Sequence, residues 1–85
     1  MPKVFWSDAA ETILDGLAPD VRREIHRREA LLTQFPELYA VILQGRYRGK
    51  RRFTVSGRYH VYYQVHGEAR DCFVTDIRAA RAHTE

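Results

Sequence analysis

The nine residues from Arg58 to His66, RYHVYYQVH, alternate without a break, with Tyr59, Val61, Tyr63 and Val65 on one side and Arg58, His60, Tyr62, Gln64 and His66 on the other. Successive side chains of a strand point to opposite faces, so this run reads as a β-strand with one buried and one polar face. Arg51, Phe53 and Val55 interleave in the same way with Arg52, Thr54 and Ser56, and Gly57 marks a tight turn between the two runs. A second turn at Gly67 and Glu68 leads to Asp71–Ile77, whose apolar residues fall on both faces, as in a central strand. The second half of the chain is therefore a three-stranded meander that needs an apolar layer against one face.

The first half supplies that layer. Lys3 to Trp6 is a short β-favouring run stopped by Ser7 and Asp8, either of which can cap a helix, and Asp8 with Glu11 resembles a capping box. Ala10, Ile13, Leu14 and Leu17 then recur at helical spacing, weakened at the end by Gly16. Pro19 suits the first turn of a second helix, whose buried face is Val21, Ile25, Leu32 and Phe35 and whose end near Phe35 is set by Pro36. So short a link between two helices predicts an antiparallel hairpin. The expected architecture is α+β: a strand, a helical hairpin and a meander forming a four-stranded antiparallel sheet with both helices on one face.

At 85 residues the chain is read as one domain, 1–85, without linker or repeat. Its formal charge of +3 is unevenly spread, since the first 37 residues hold seven acids against five Lys or Arg. Leu38 to Gly67 has neither Asp nor Glu, yet holds six cations and all five tyrosines. Guanidinium groups and rings gathered without carboxylates make a positive field with stacking surfaces, which suits a polyanion. The alternative is a solvated basic surface that serves solubility alone. Cys72, the single cysteine, excludes an internal disulfide and points to a reducing, cytoplasmic setting; it reads as a small buried core residue. Neither a secretion leader nor a membrane span is expected. Four scattered histidines lack ligand spacing, and no metal or other cofactor is expected.

With Phe53, Val55, Val61 and Val65 turned to the core, Lys50, Arg52, Arg58, His60 and Tyr62 share the opposite face. Arg46, Arg48 and Arg51 extend this set as nucleic-acid-binding candidates. Tyr62 offers a stacking ring, worth about 1–3 kcal/mol when a base lies on it. Arg78 and Arg81 close the last strand. RNA cleavage by side chains alone requires a base for the 2′-hydroxyl, an acid for the leaving 5′-oxygen and cations for the charge developing at phosphorus.

The order of elements, FWSDAA after the first strand, FPEL closing the second helix and RRFTVSGRYHVYYQVHG across two strands resemble the RelE/ParE superfamily of bacterial toxins over nearly the whole chain. The resemblance implies a compact toxin held inactive by a cognate acidic antitoxin. It implies either mRNA cleavage, usually on the ribosome, or poisoning of DNA gyrase, with an inactive toxin-fold binding partner as a third possibility. It also implies catalytic roles for an arginine at the end of the last strand, met by Arg78 or Arg81, and for a tyrosine or histidine soon after, met by His83. His60 stands where the family commonly has an arginine, so either His60 moves a proton or Arg58 supplies the charge. The expected activity is that of a metal-independent endoribonuclease, with Arg58, His60, Arg78, Arg81 and His83 as its catalytic candidates.

Overall fold

The computed structural model describes residues 2–80; Arg81 and His83 lie outside the described residues. Six elements follow one another: β1 (Val4–Trp6), α1 (Asp8–Asp15), α2 (Pro19–Leu32), β2 (Arg51–Val55), β3 (Tyr59–His66) and β4 (Asp71–Ala79). Ser7 is the residue that caps α1, its hydroxyl accepting from the Ala10 amide at 3.1 Å. Pro19 opens α2 as expected, but the helix ends at Leu32 rather than Phe35. The amides of Gln34 and Phe35 still bond to the Leu31 carbonyl, so the chain leaves the helix through a turn before Pro36.

The four strands form one sheet in the order β1-β4-β3-β2. The meander is antiparallel throughout, with β2 against β3 and β3 against β4. The fully antiparallel sheet is corrected at its edge, where β1 runs parallel to β4. Two tight turns make β4 run in the direction of β2, and the long segment 33–50 brings the chain back so that both follow β1. Parallel pairing needs such a long crossover, and here the helices and that segment provide it.

The core lies between the helices and one sheet face. Ala10 and Leu14 of α1, and Val21, Ile25 and Leu32 of α2, pack with Phe53, Val55, Val61, Tyr63, Cys72, Val74 and Ile77. Each helix rests on the sheet, α1 over β4 and α2 over β2. Tyr63 is fully buried and its hydroxyl donates to the Pro36 carbonyl at 3.0 Å, which ties the segment after α2 to the core. Burial pushes the pKa of that phenol up to about 12. Cys72 is fully buried, and its thiol is pushed up by the same cause. Among the described residues no helix is long and apolar enough to cross a membrane.

One irregularity determines what the other face displays. Tyr62 pairs with Asp76 but Tyr63 pairs with Val74, so β4 carries one extra residue, Thr75, at a bulge. Val74 and Ile77 consequently both reach the core although they are three residues apart. This explains why the last strand reads as apolar on both sides.

Removing a buried branched side chain here should cost far more than trimming the open face. Ile25→Ala is expected to lower stability in urea by about 2–5 kcal/mol through the cavity it leaves. Arg52→Ala should stay within about 0.5 kcal/mol. Equal losses would show that the layer between helices and sheet is not the core.

Candidate nucleic-acid interface

The sheet face turned away from the helices carries Arg52 and Thr54 from β2 and His60, Tyr62 and Gln64 from β3. It also carries Phe73, Thr75, Asp76 and Arg78 from β4. Thr54 and Arg78 are the cross-strand partners of His60, while Arg52 and Asp76 are those of Tyr62. Opposed side chains of neighbouring strands lie within about 4.5–5.5 Å at Cβ, so these six residues form one continuous patch.

His60 sits at its centre. Its Nδ1 is 2.8 Å from the Thr54 hydroxyl and its ring meets that of Tyr62 edge-on at 6.2 Å. Partial burial, and secondarily the positive charge of Arg52, lower its pKa from the ordinary 6.5. The imidazole is therefore neutral at pH 7, in the state that can accept a proton. Arg52 is exposed beside it, and Lys50 reaches across the sheet so that its Nζ donates to the Thr75 hydroxyl at 2.9 Å. Lys50 and Arg52 thus share this face.

Tyr47 arrives from the segment before β2 and lies flat on Tyr62, with ring centroids 3.7 Å apart and an interplanar angle of 11°. Arg46 follows with its guanidinium carbon 5.6 Å from the Tyr47 ring centre. Tyr62 is buried under this stack, so of the two rings it is Tyr47 that lies outermost. The Tyr47 hydroxyl donates to Asp76 Oδ2 at 2.8 Å, and Arg78 Nε donates to both of these oxygens at 3.0 Å. Burial works against ionisation of Asp76, but the hydrogen bonds from Tyr47 and Arg78 outweigh it and hold the carboxyl below its ordinary 3.8. Burial and the bond to Asp76 raise the pKa of Tyr47, which stays protonated at neutral pH.

Other expected site residues lie elsewhere. Arg58 belongs to the turn between β2 and β3, not to the strand, and its guanidinium carbon is 5.7 Å from the ring of Tyr59, a residue packed against the core. Ser56 and Gly57 both take positive φ, 54° and 62°, as this tight turn requires, and Arg58 completes the turn before β3 begins at Tyr59. Arg51 points to the other face, where it donates to the carbonyls of Tyr39 at 2.6 Å and Glu37 at 3.4 Å. Arg48 is exposed in the turn before β2. The structure thus brings Lys50, Arg52, His60, Tyr62 and Arg78 together and leaves Arg51 and Arg58 apart. Tyr47, Thr54 and Asp76 join them unforeseen; only the Val74–Ile77 spacing, which breaks the two-residue period, hinted that Asp76 would face this way. Among the described residues no group of His, Cys, Asp and Glu could hold a metal ion.

No family model and no curated protein sequence matches the chain. Solved structures do. A chain of the intact E. coli RelBE toxin–antitoxin complex is 20% identical at a TM-score of 0.78, with 96% of this chain and 100% of that chain covered. The isolated E. coli RelE toxin is 19% identical at a TM-score of 0.80, covering 98% and 88%. The YoeB/ParE toxin from Agrobacterium tumefaciens is 15% identical at 0.74, covering 93% and 99%. The chain therefore has the RelE/ParE toxin fold.

The two shifted carboxyl and imidazole groups give stability a defined pH dependence. The folded pKa of His60 is lowered, so the unfolded chain binds that proton more readily and stability falls as pH drops below about 6.5. The folded pKa of Asp76 is also lowered, so its contribution is present above 3.8 and disappears as pH falls through the folded value. In NMR titration the His60 midpoint should lie below 6.5 and rise in Arg52→Ala, though not fully, because burial remains. An unmoved midpoint would separate Arg52 from His60.

Proposed function

We propose that the chain is the toxin of a bacterial type II toxin–antitoxin pair and acts in the cytoplasm as a metal-independent endoribonuclease on mRNA. The carrying observation is His60: a neutral imidazole on an open sheet face, beside Arg52 and directly across the strand from Arg78. In this mechanism His60 takes the proton of a 2′-hydroxyl, the freed oxygen attacks the adjacent phosphorus, and the bond to the 5′-oxygen breaks. Lys50, Arg52 and Arg78 stabilise the charge that grows on the phosphoryl oxygens. The leaving 5′-oxygen receives its proton from an acid, for which His83 is the proposed residue. The products are a 2′,3′-cyclic phosphate and a 5′-hydroxyl end.

The partners follow from the same reading. RelE-type toxins of this fold are seen in complex with antitoxin, including one bound to an antitoxin peptide. Phe35, Leu38 and Leu43 are large apolar side chains exposed by 55%, 50% and 77%, which supports a protein partner for the segment after α2. The ribosome is the proposed setting for cleavage, as the resemblance to RelE-like nucleases implies.

Primer extension on a transcript treated with purified protein, with and without translating ribosomes, is expected to show new 5′ ends. His60→Ala should slow their appearance by about 10²-fold or more, the usual range for loss of a general base. Intact message at doses that stop growth would remove the nuclease reading. Gyrase-trapped double-strand breaks at such doses would replace it with poisoning of that enzyme.

A further inference from the structure

Arg78 is held in an unusual way for a surface arginine. Its single Nε hydrogen is shared between Tyr47 Oη and Asp76 Oδ2, each at 3.0 Å, while the Tyr47 hydroxyl donates to that same carboxylate oxygen at 2.8 Å. Among the described residues the hydrogen bonds of the guanidinium run through Nε, and the side chain remains half exposed at 50%. An isolated surface ion pair between residues two apart on a strand would hold nothing firmly. Tyr47 changes this, because it comes from 31 residues away and is itself fixed by its stack on buried Tyr62.

We propose that Tyr47 and Asp76 are positioning residues: they grip Arg78 by its Nε and leave both terminal amino groups free as a fork for one backbone phosphate of RNA. A guanidinium offers five donors in a planar arrangement, and a phosphate matches two of them at once. Occupying Nε selects the outward pair of amino groups and removes the rotameric freedom that would otherwise be lost on binding. His60 lies across the strand from Arg78, so a phosphate on this fork is next to the imidazole. The inference rests on reading the face as an RNA-binding surface, but not on cleavage.

Fluorescence anisotropy with a labelled, 2′-O-methylated RNA oligonucleotide, which cannot be cut through its 2′-oxygen, tests it directly. Tyr47→Phe keeps the ring, the stack and the net charge, and should weaken binding about three- to tenfold, the scale of one hydrogen bond. It should leave the salt slope unchanged, whereas Arg78→Ala should weaken binding further and lower that slope by about one. The double variant should bind no worse than Arg78→Ala alone. An equal loss from Tyr47→Phe in both backgrounds, or no loss in either, overturns the positioning role. Asp76→Asn is the second variant: weaker binding supports the grip, and tighter binding shows that the carboxylate merely offsets Arg78. Wild-type protein that binds the oligonucleotide with this coupling but cuts no transcript loses the nuclease reading and keeps the phosphate fork. Wild-type protein that binds no RNA loses both.

Discussion

The extra residue in β4 opposite the Tyr62–Tyr63 step decides which side chains this protein shows to a partner. Without it, strict alternation from Cys72 and Val74 would send Asp76 and Arg78 into the core and Ile77 out to solvent. With it, Ile77 closes the core while Thr75, Asp76 and Arg78 all reach the open face. Placing an ion pair in the core would be opposed by a desolvation cost of several kcal/mol per ion, so burial itself enforces the slip. The bulge is therefore fixed by the core it serves and is used by the site it faces.

The site then draws its order from both ends of a long detour. The segment between α2 and β2 is tied on the helix side by Tyr63, whose hydroxyl reaches Pro36, and by Arg51, which reaches Tyr39. On the other side it is tied by Tyr47, which stacks on Tyr62, and by the Asp76 bond. Adjacent residues of β3, Tyr62 and Tyr63, thus anchor opposite sides of one connection. An aromatic stack of this type adds about 0.5–1.5 kcal/mol beyond area burial, enough to keep Tyr47 in place without freezing it.

The alternation of β3 and β2 was legible because it follows from the two-residue period, and it correctly placed Lys50, Arg52, His60 and Tyr62 on one face. The direction of β1 was not legible: a three-residue edge strand has the same pattern whether it pairs parallel or antiparallel. Arg58 reads as a strand residue because Arg-Tyr-His continues the alternation, whereas the turn with positive φ at Ser56 and Gly57 takes in Arg58 and β3 begins at Tyr59. Arg51 looked like one more cation of a basic run, and only the position of the Tyr39 and Glu37 carbonyls shows it to be structural. Asp76 was hidden by the bulge, and Tyr47 by a loop whose path no local pattern records.

Charge alone would have made this face a generic polyanion surface. What distinguishes it is two groups on one face that both favour their deprotonated form: an imidazole kept neutral by partial burial and a neighbouring cation, and a carboxylate kept ionised by the donors around it. Under the nuclease proposal such a pair can divide labour, the neutral imidazole free to take a proton and the carboxylate committed to holding a cation. A solubilising surface has no need of that division. Under the proposed nuclease activity, the partial burial of His60 and Asp76 serves the proton transfer, and the basic residues around them serve the phosphates that the reaction would handle.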